Sequence, residues 1–334
     1  MKYLGRLLAV AGLALSIWLF LRDNPSAIVA LLRQAGLGLA AASLIHLLPM
    51  ALNARGWQIL LPGAGQPTLA AMVRLVWIRE SINGLLPVAR IGGEIVSFRL
   101  MRMIGVRRAP AAASLIVDMS LSVLCQFAVV LLGIGLLATY RTDDLVLQLG
   151  IGVAIAAPFV AVFILAQYAR PFERVVRLMN RFAAGKLAGV LGHSVRIDRG
   201  VRLIYRRRSA VMRSVIWQSS GFLAGALEIW AALWFLGHPV GLTESLVIEA
   251  VILAVSSAGF LVPGAIGIQE GGFLMIGTVL GLDPSTSLAL AVARRLRDCI
   301  IFFPGLCAWY VVEGQEIRRR KQSKDIALAL RSPQ

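Results

Sequence analysis

Apolar segments long enough to cross a lipid bilayer recur along this chain. They cover residues 4–21, 37–61, 109–140, 145–168, 211–236 and 285–312. A helix of about 20 residues crosses a hydrocarbon core of about 30 Å. Only helices and closed barrels satisfy all their backbone hydrogen bonds in lipid. The sequence therefore predicts an all-α integral membrane protein, a polytopic bundle of about six spanning helices.

The composition excludes the soluble classes of protein. Hydrophobic residues make up 58% of the 334 residues and charged residues only 15%, whereas soluble domains contain about 45–50% and about 25%. The net charge of +17 would suggest nucleic acid in a soluble protein. Here the basic residues lie between apolar segments, where they face anionic lipid headgroups and set the topology. We therefore expect no nucleic-acid partner.

Positive charge is concentrated in alternate links, at residues 98–110, 169–210 and 316–334. Since basic links stay on the cytoplasmic side, this pattern predicts cytoplasmic N- and C-termini. The excess of arginine over lysine suggests a bacterium, and hence the bacterial inner membrane. We expect one transmembrane domain, residues 1–315, with a basic linker at 169–210 and a basic tail from 316. Arginines at helical spacing in 169–183 fit either an interfacial helix or a solvated linker.

Two further apolar regions, residues 68–103 and 242–280, are interrupted by proline and glycine. The first contains Pro87 and then Glu94, and the second contains Pro263 and then Glu270. Breaks at membrane depth are tolerated only where protein or a wet cavity satisfies the freed backbone groups. We expect two broken helical hairpins, and the sequence leaves open whether they re-enter or span the membrane fully.

The two broken regions match each other at a constant offset of 176 residues. Pro87 matches Pro263, Glu94 matches Glu270, and Gly105 matches Gly281. With the predicted topology, one hairpin enters from each side, so residues 66–140 and 242–312 form an inverted repeat. Inverted repeats with broken helices are typical of transporters, whose site lies near the midplane between the copies. The alternative is an old duplication that is retained for packing.

Ionisable residues inside the apolar segments are the candidate site. A charge at the bilayer centre costs about 2.5–3.5 kcal/mol on insertion scales, so such residues are usually functional. The candidates for substrate binding and translocation are Asn83, Pro87, Arg90, Glu94, Asp118, Pro263, Gln269, Glu270, Arg294, Arg297 and Asp298. Arginines suit an anionic headgroup, and buried carboxylates suit proton coupling. Arg294 and Asp298, one turn apart, can pair on one helix face. Glu228 and Glu249 are further candidates whose depth in the membrane the sequence does not fix. The alternative is a set of structural ion pairs.

The chain resembles a known family at these same residues. The likeness rests on residues 83–94 with Asp118, on Pro263 and residues 269–272, and on residues 294–298 and 303–309. It resembles the flippase-like integral membrane family that includes the transmembrane region of lysylphosphatidylglycerol synthases, over roughly residues 5–315. Within that family the HpnL type, associated with hopanoid biosynthesis, is most similar. The resemblance implies movement of a lipid between leaflets, and it covers no aminoacyl-transfer domain.

Three functions remain in competition. The first is a lipid transporter for a hopanoid, a polyprenyl phosphate or an anionic phospholipid, with or without proton coupling. The second is a non-transporting scaffold for hopanoid or envelope-lipid biosynthesis proteins. The third is an intramembrane lipid-modifying enzyme, which the lack of a P-loop and of a GxSxG motif disfavours. We expect no enzymatic activity, catalytic residue, cofactor or metal. The expected partners are a lipid substrate and anionic headgroups at the cytoplasmic face.

Overall fold

The computed structural model describes residues 2–63, 66–86, 92–140, 188–259 and 262–329, with five single positions between 147 and 158. Within these ranges the chain is helical and contains no strand. The helices are α1 (Lys2–Arg22), α2 (Pro25–Ala35), α3 (Gly38–Leu44), α4 (Leu47–Leu60), α5 (Leu69–Leu85), α6 (Gly92–Met103), α7 (Arg108–Tyr140), α8 (Ala188–Arg206), α9 (Arg208–Phe235), α10 (Leu242–Ala258), α11 (Ile268–Val279), α12 (Pro284–Arg297) and α13 (Phe303–Ala329).

The predicted spans map onto these helices in different ways. The segments 4–21, 109–140 and 211–236 lie essentially within α1, α7 and α9. The segment 37–61 is divided into α3 and α4, and 285–312 is divided into α12 and α13. The segment 145–168 falls outside the described residues apart from the five single positions, as do residues 169–187 of the basic linker. The rest of that linker forms α8, which packs on α7.

One helix in the described part of the chain, residues 108–138 of α7, is long and apolar enough to cross a membrane unbroken. Only 33% of its most apolar window is buried in the protein. A core helix of a soluble protein would be mostly covered, so the uncovered face of α7 suits contact with lipid. The consecutive α1 and α2, bent by 91°, pass the same test together. The bend follows from Asn24, which caps α2, and from Pro25 in its first turn.

Both interrupted regions fold as two helices that pack against each other around a break. The helices α5 and α6 form the first hairpin, and α10 and α11 form the second. The second break contains a short 3-10 turn, Pro263–Ala265, followed by Gly267 with φ of +81°. Each region thus contains the packed pair of helices that a hairpin requires, and residues 87–91 between α5 and α6 lie outside the described residues. The entry of the two hairpins from opposite sides of the membrane stays a prediction.

The repeat seen in the sequence recurs in the helix boundaries. Adding 176 to the limits of α6 gives the limits of α11, and adding 176 to the first residue of α7 gives that of α12. Gly105 and Gly281 both adopt positive φ, +93° and +81°, just after these short helices. The following residues, Val106 and Leu282, each donate a hydrogen bond to the carbonyl five residues earlier. Both helices thus end in the same glycine-based Schellman cap.

The buried apolar side chains form two large clusters. One is built mainly from α2, α3 and α9–α12, and includes Phe273 and Leu233. The other is built mainly from α4–α8, and includes Trp57 and Met72. The first hairpin, α5 and α6, therefore belongs to the cluster around Trp57, and the second hairpin, α10 and α11, belongs to the cluster around Phe273. A small third cluster of Met50, Ile301 and Phe302 adjoins the charged residues described next.

Candidate functional site

Helix α12 carries three arginines at its C-terminal end, inside the bundle. Asp283 caps its N-terminus, where the carboxylate accepts a hydrogen bond from the Thr286 backbone N–H at 2.8 Å. Burial acts to raise the pKa of Asp283, but the hydrogen bonds from Thr286 outweigh it, and the pKa is lowered. At the other end, Arg294 and Arg297 are only 7% and 8% exposed. Two guanidinium groups so deeply buried need partners of opposite charge.

Arg294 is held by carboxylates from two neighbouring helices. Its Nη1 lies 3.1 Å from Oε1 of Glu228 on α9, and its Nη2 lies 2.6 Å from Oε2 of Glu249 on α10. Both carboxylates are buried. A small cavity of about 10 Å³ adjoins this arrangement, and its lining includes Ser43, Glu228 and Arg294.

Arg297 lies one turn further along and shares Glu228 with Arg294. Its Nη1 is 3.2 Å from Oε2 of Glu228, and it also pairs with the adjacent Asp298. Its guanidinium carbon lies 5.4 Å from the centre of the Phe302 ring, a cation–π contact. Arg294 pairs with Glu228 and Glu249, and Asp298 pairs with Arg297, so Arg294 and Asp298 do not pair although they lie one α-helical turn apart. A π segment, Asp298–Phe302, follows this turn.

His46 and Glu80 extend this group toward the surface of the bundle. His46 lies in the turn between α3 and α4, and its Nδ1 is 3.0 Å from Oε2 of Glu228. Its Nε2 is 3.5 Å from Oε2 of Glu80 on α5. We call these seven residues the central cluster: His46, Glu80, Glu228, Glu249, Arg294, Arg297 and Asp298. In the central cluster two guanidinium groups face four carboxylates, so an anionic headgroup reaches the arginines only by displacing a carboxylate.

Arg295 ties the central cluster to the break in the second hairpin. Its Nε is 2.9 Å from Oε1 of Glu270, and its Nη1 donates to the carbonyl of Gly264 at 2.7 Å. Its Nη1 is also 3.8 Å from Oδ2 of Asp298. The other oxygen of Glu270 accepts the N–H of Gly267 at 2.7 Å, which caps α11. One arginine thus satisfies the backbone freed by the break and links it to α12.

In the first hairpin, the residue that corresponds to Glu270, Glu94, contacts an uncharged amide rather than an arginine. Asn83 accepts the N–H of Gly93 at 2.9 Å and donates to the carboxylate of Glu94 at 3.1 and 3.2 Å. Pro87 and Arg90 lie outside the described residues. The structure therefore brings Asn83 and Glu94 together across the hairpin and tests nothing about the break itself.

Asp118 belongs to a separate polar group on α7. Its two oxygens lie 2.8 Å from Nη1 of Arg79 and 2.9 Å from Nε2 of Gln218. Arg79 also stacks over Trp57, with its guanidinium carbon 4.9 Å from the ring centre. Asp118 is therefore already neutralised by a buried arginine on α5.

The two remaining predicted residues lie at the second break. The backbone of Pro263 begins its 3-10 turn. The side-chain amide of Gln269 donates to the hydroxyl of Ser256 at 2.8 Å, and its buried carbonyl oxygen has no hydrogen-bond partner. Among the described residues, no group of three histidine, cysteine or acidic side chains is arranged to hold a metal ion.

Sequence reasoning missed His46, Arg79 and Glu80 as site residues and held Glu228 and Glu249 only as uncertain candidates. A usable signal existed, since His46 and the Arg79–Glu80 pair each stand within otherwise apolar helical segments. The structure supplies what the sequence lacked, namely that α4, α5, α9, α10 and α12 bring these groups within ion-pair distance.

A helical bundle with a long, largely uncovered apolar helix and a buried charge cluster is typical of a membrane protein. The comparison with protein families agrees. The family described as "Lysylphosphatidylglycerol synthase TM region" matches residues 6–305, and the chain belongs to that family. Neither the curated proteins nor the solved structures give a match. The family establishes a membrane protein with a lipid-related role and leaves the HpnL type a prediction.

Proposed function

We propose that this chain is a transporter that moves a membrane lipid between the two leaflets. The observation that carries the proposal is the central cluster and its link through Arg295 to the second hairpin, in a chain of a lipid-related membrane family. The apolar tails of the lipid would stay in the hydrocarbon core while its polar headgroup crosses beside these charges. Buried charges of this kind mark substrate pathways in membrane proteins.

The inverted arrangement of the hairpins is part of this proposal. The equal offset of 176 residues in helix limits and caps supports two equivalent units. If they enter from opposite sides, the polar site between them opens to each leaflet in turn. We further propose cytoplasmic termini in a bacterial inner membrane and contact of the basic linker with anionic headgroups.

The substrate classes that we propose are a hopanoid, a polyprenyl phosphate or an anionic phospholipid. The likeness to the HpnL type favours the hopanoid. The arginines favour an anionic headgroup, although they are already occupied by carboxylates. We also propose that the chain carries no enzymatic activity, so a transported lipid leaves with unchanged mass.

The test is lipid movement in proteoliposomes that contain the purified chain and fluorescent lipids with several headgroups. We expect the wild type to move at least one probe faster than protein-free vesicles do. Glu270→Gln removes the charged partner of Arg295. Arg297→Lys removes the guanidinium that contacts both Glu228 and Asp298. Each change should slow lipid movement by about tenfold or more. The matched control is Arg99→Gln, because Arg99 forms a half-exposed pair with Glu313 outside the cluster.

Each result decides the proposal differently. No movement of any probe by correctly folded protein would reject the transporter and leave the scaffold hypothesis. Movement that is equally fast in Arg297→Lys would reject the central cluster as the route. A change in lipid mass after the assay, measured by mass spectrometry, would revive the enzyme hypothesis.

A further inference from the structure

His46 lies between a more exposed and a more buried carboxylate of the central cluster. The exposed fraction of the side chains falls from 25% for Glu80 to 15% for His46 and 6% for Glu228. The imidazole lies between the two carboxylates, with Nε2 toward Glu80 and Nδ1 toward Glu228. The three groups therefore form a short polar line from the more exposed carboxylate to the most buried one.

The contacts of Nδ1 are of two incompatible kinds. This nitrogen lies 3.0 Å from a carboxylate oxygen of Glu228, which only accepts a hydrogen bond. It also lies 3.3 Å from Nη1 of Arg297, which only donates one. When Nδ1 carries a proton it can donate to Glu228 but cannot accept from Arg297. When Nδ1 is bare, it can accept from Arg297 and faces the carboxylate unfavourably.

We propose that His46 is a proton-binding residue of the central cluster, and that its protonation exchanges Arg297 for Glu228 as the hydrogen-bond partner of Nδ1. The neutral ring that accepts from Arg297 carries its proton on Nε2, which faces Glu80, and the added proton binds at Nδ1. The added proton is bound by the ring and no other bond is made or broken. Histidine suits this role because its charge changes near neutral pH.

Charged groups of both signs surround His46, the carboxylates favouring a bound proton and the guanidinium opposing it. Helix α5 contributes Glu80, α9 contributes Glu228, and α12 contributes Arg297. The π segment contributes the edge-on ring of Phe302, 5.6 Å from the imidazole, and the carboxylate of Asp298, which pairs with Arg297. Because carboxylates outnumber guanidinium groups in the cluster, one added positive charge reduces an existing excess of negative charge.

The change of hydrogen-bond partner at Nδ1 also affects Arg297. A protonated His46 competes with Arg297 for Glu228 and withdraws its own acceptor from Arg297, so the guanidinium is held less firmly. This part of the inference rests on the proposed function: an anionic headgroup would bind better when His46 is protonated, and by reciprocity it would strengthen proton binding. Transport would then depend on pH through this residue.

The direct test is 15N NMR of the imidazole in a chain with one histidine. The sequence has three histidines, so His193→Gln with His238→Gln leaves His46 alone. We expect one ring that changes between the neutral and the doubly protonated form as pH is varied from about 8.5 to 4.5. In Glu80→Gln the change should occur about one pH unit lower, because a facing negative charge is lost. Glu313→Gln removes a carboxylate that is paired with Arg99, and it should leave the pH of the imidazole transition unchanged.

The outcomes separate this inference from the proposed function. A ring that stays in one form across the range, or a transition that Glu80→Gln does not move, would overturn the inference even if lipid transport is observed. A transition that behaves as expected in a chain that moves no lipid would support the proton site and reject the transporter. In active proteoliposomes, His46→Gln should flatten the pH dependence of transport, and unchanged pH dependence would refute the coupling.

Discussion

The coupling between Arg294 and Glu249 gives the sharpest test of the charge network. Arg294→Met deletes the guanidinium that contacts Glu249 at 2.6 Å and Glu228 at 3.1 Å. Glu228 keeps Arg297, but Glu249, 5% exposed, loses its ion pair. Removal of one partner from a buried pair costs about 3–5 kcal/mol, because a charge remains without compensation. We therefore expect Arg294→Met to lower the free energy of unfolding by about that amount.

The companion changes show whether the cost arises from the unpaired charge. Glu249→Gln keeps the Arg294–Glu228 pair and should cost less, about 1–3 kcal/mol. The double variant buries no unpaired carboxylate at position 249. Its cost should fall short of the sum of the single variants by about 1–3 kcal/mol.

The assay is reversible unfolding in mixed detergent micelles, with the free energy taken from the four members of the cycle. The matched cycle is Arg99→Met with Glu313→Gln, whose side chains are 51% and 19% exposed. A pair with one solvent-exposed partner should couple by less than about 1 kcal/mol. Additivity of the Arg294 and Glu249 changes within about 0.5 kcal/mol would refute the idea that this buried pair is energetically linked.

Two further predictions concern the second half of the chain. Gly267→Ala should destabilise the protein by about 1–3 kcal/mol, since Gly267 has φ of +81° and an added Cβ would lie 2.5 Å from the carbonyl oxygen of Gly12. The control Gly271→Ala meets no atom within 4 Å and should be neutral or stabilising in thermal unfolding. Asp283→Ala should cost about 1 kcal/mol by loss of the α12 cap. Because folding lowers the pKa of Asp283, that contribution should be present above its unfolded pKa and lost as pH falls through the lowered value.

The outcomes that would contradict these two predictions are specific. Equal stability of the Gly267 and Gly271 variants would show that the close approach of α1 to the second break is absent. A stability difference between wild type and Asp283→Ala that persists unchanged at strongly acidic pH would show that the ionised carboxylate is not the cap.

The sequence predicted the features that depend on local backbone chemistry. Proline and glycine marked the second break, and Gly105 and Gly281, which the offset of 176 matches, follow the two matching helices with positive φ. Glu270 was correctly placed beside its break, since a carboxylate near a helix N-terminus satisfies free N–H groups.

The ion-pair partners could not be predicted in the same way. Arg79 meets Asp118 from 39 residues away, and Arg294 meets Glu228 from 66 residues away. Such contacts depend on how helices pack, and helical periodicity does not specify that. Arg294 and Asp298 do not pair for the same reason, since Glu228 and Glu249 reach Arg294 from other helices.

The π segment after α12 fixes the rotation of the helix that follows it relative to α12. Before it, Arg297 faces the central cluster, and after it Gly305 lies so close to α5 that an added Cβ would overlap the hydroxyl of Ser81. Each residue of an α-helix turns the chain by about 100°, so deletion of one residue from 298–302 would rotate one face by that angle relative to the other. The helix could then keep Arg297 in the central cluster or keep Gly305 packed against α5, but not both. A single residue of extra backbone thus makes the polar interior and the α5 contact compatible in one continuous rod.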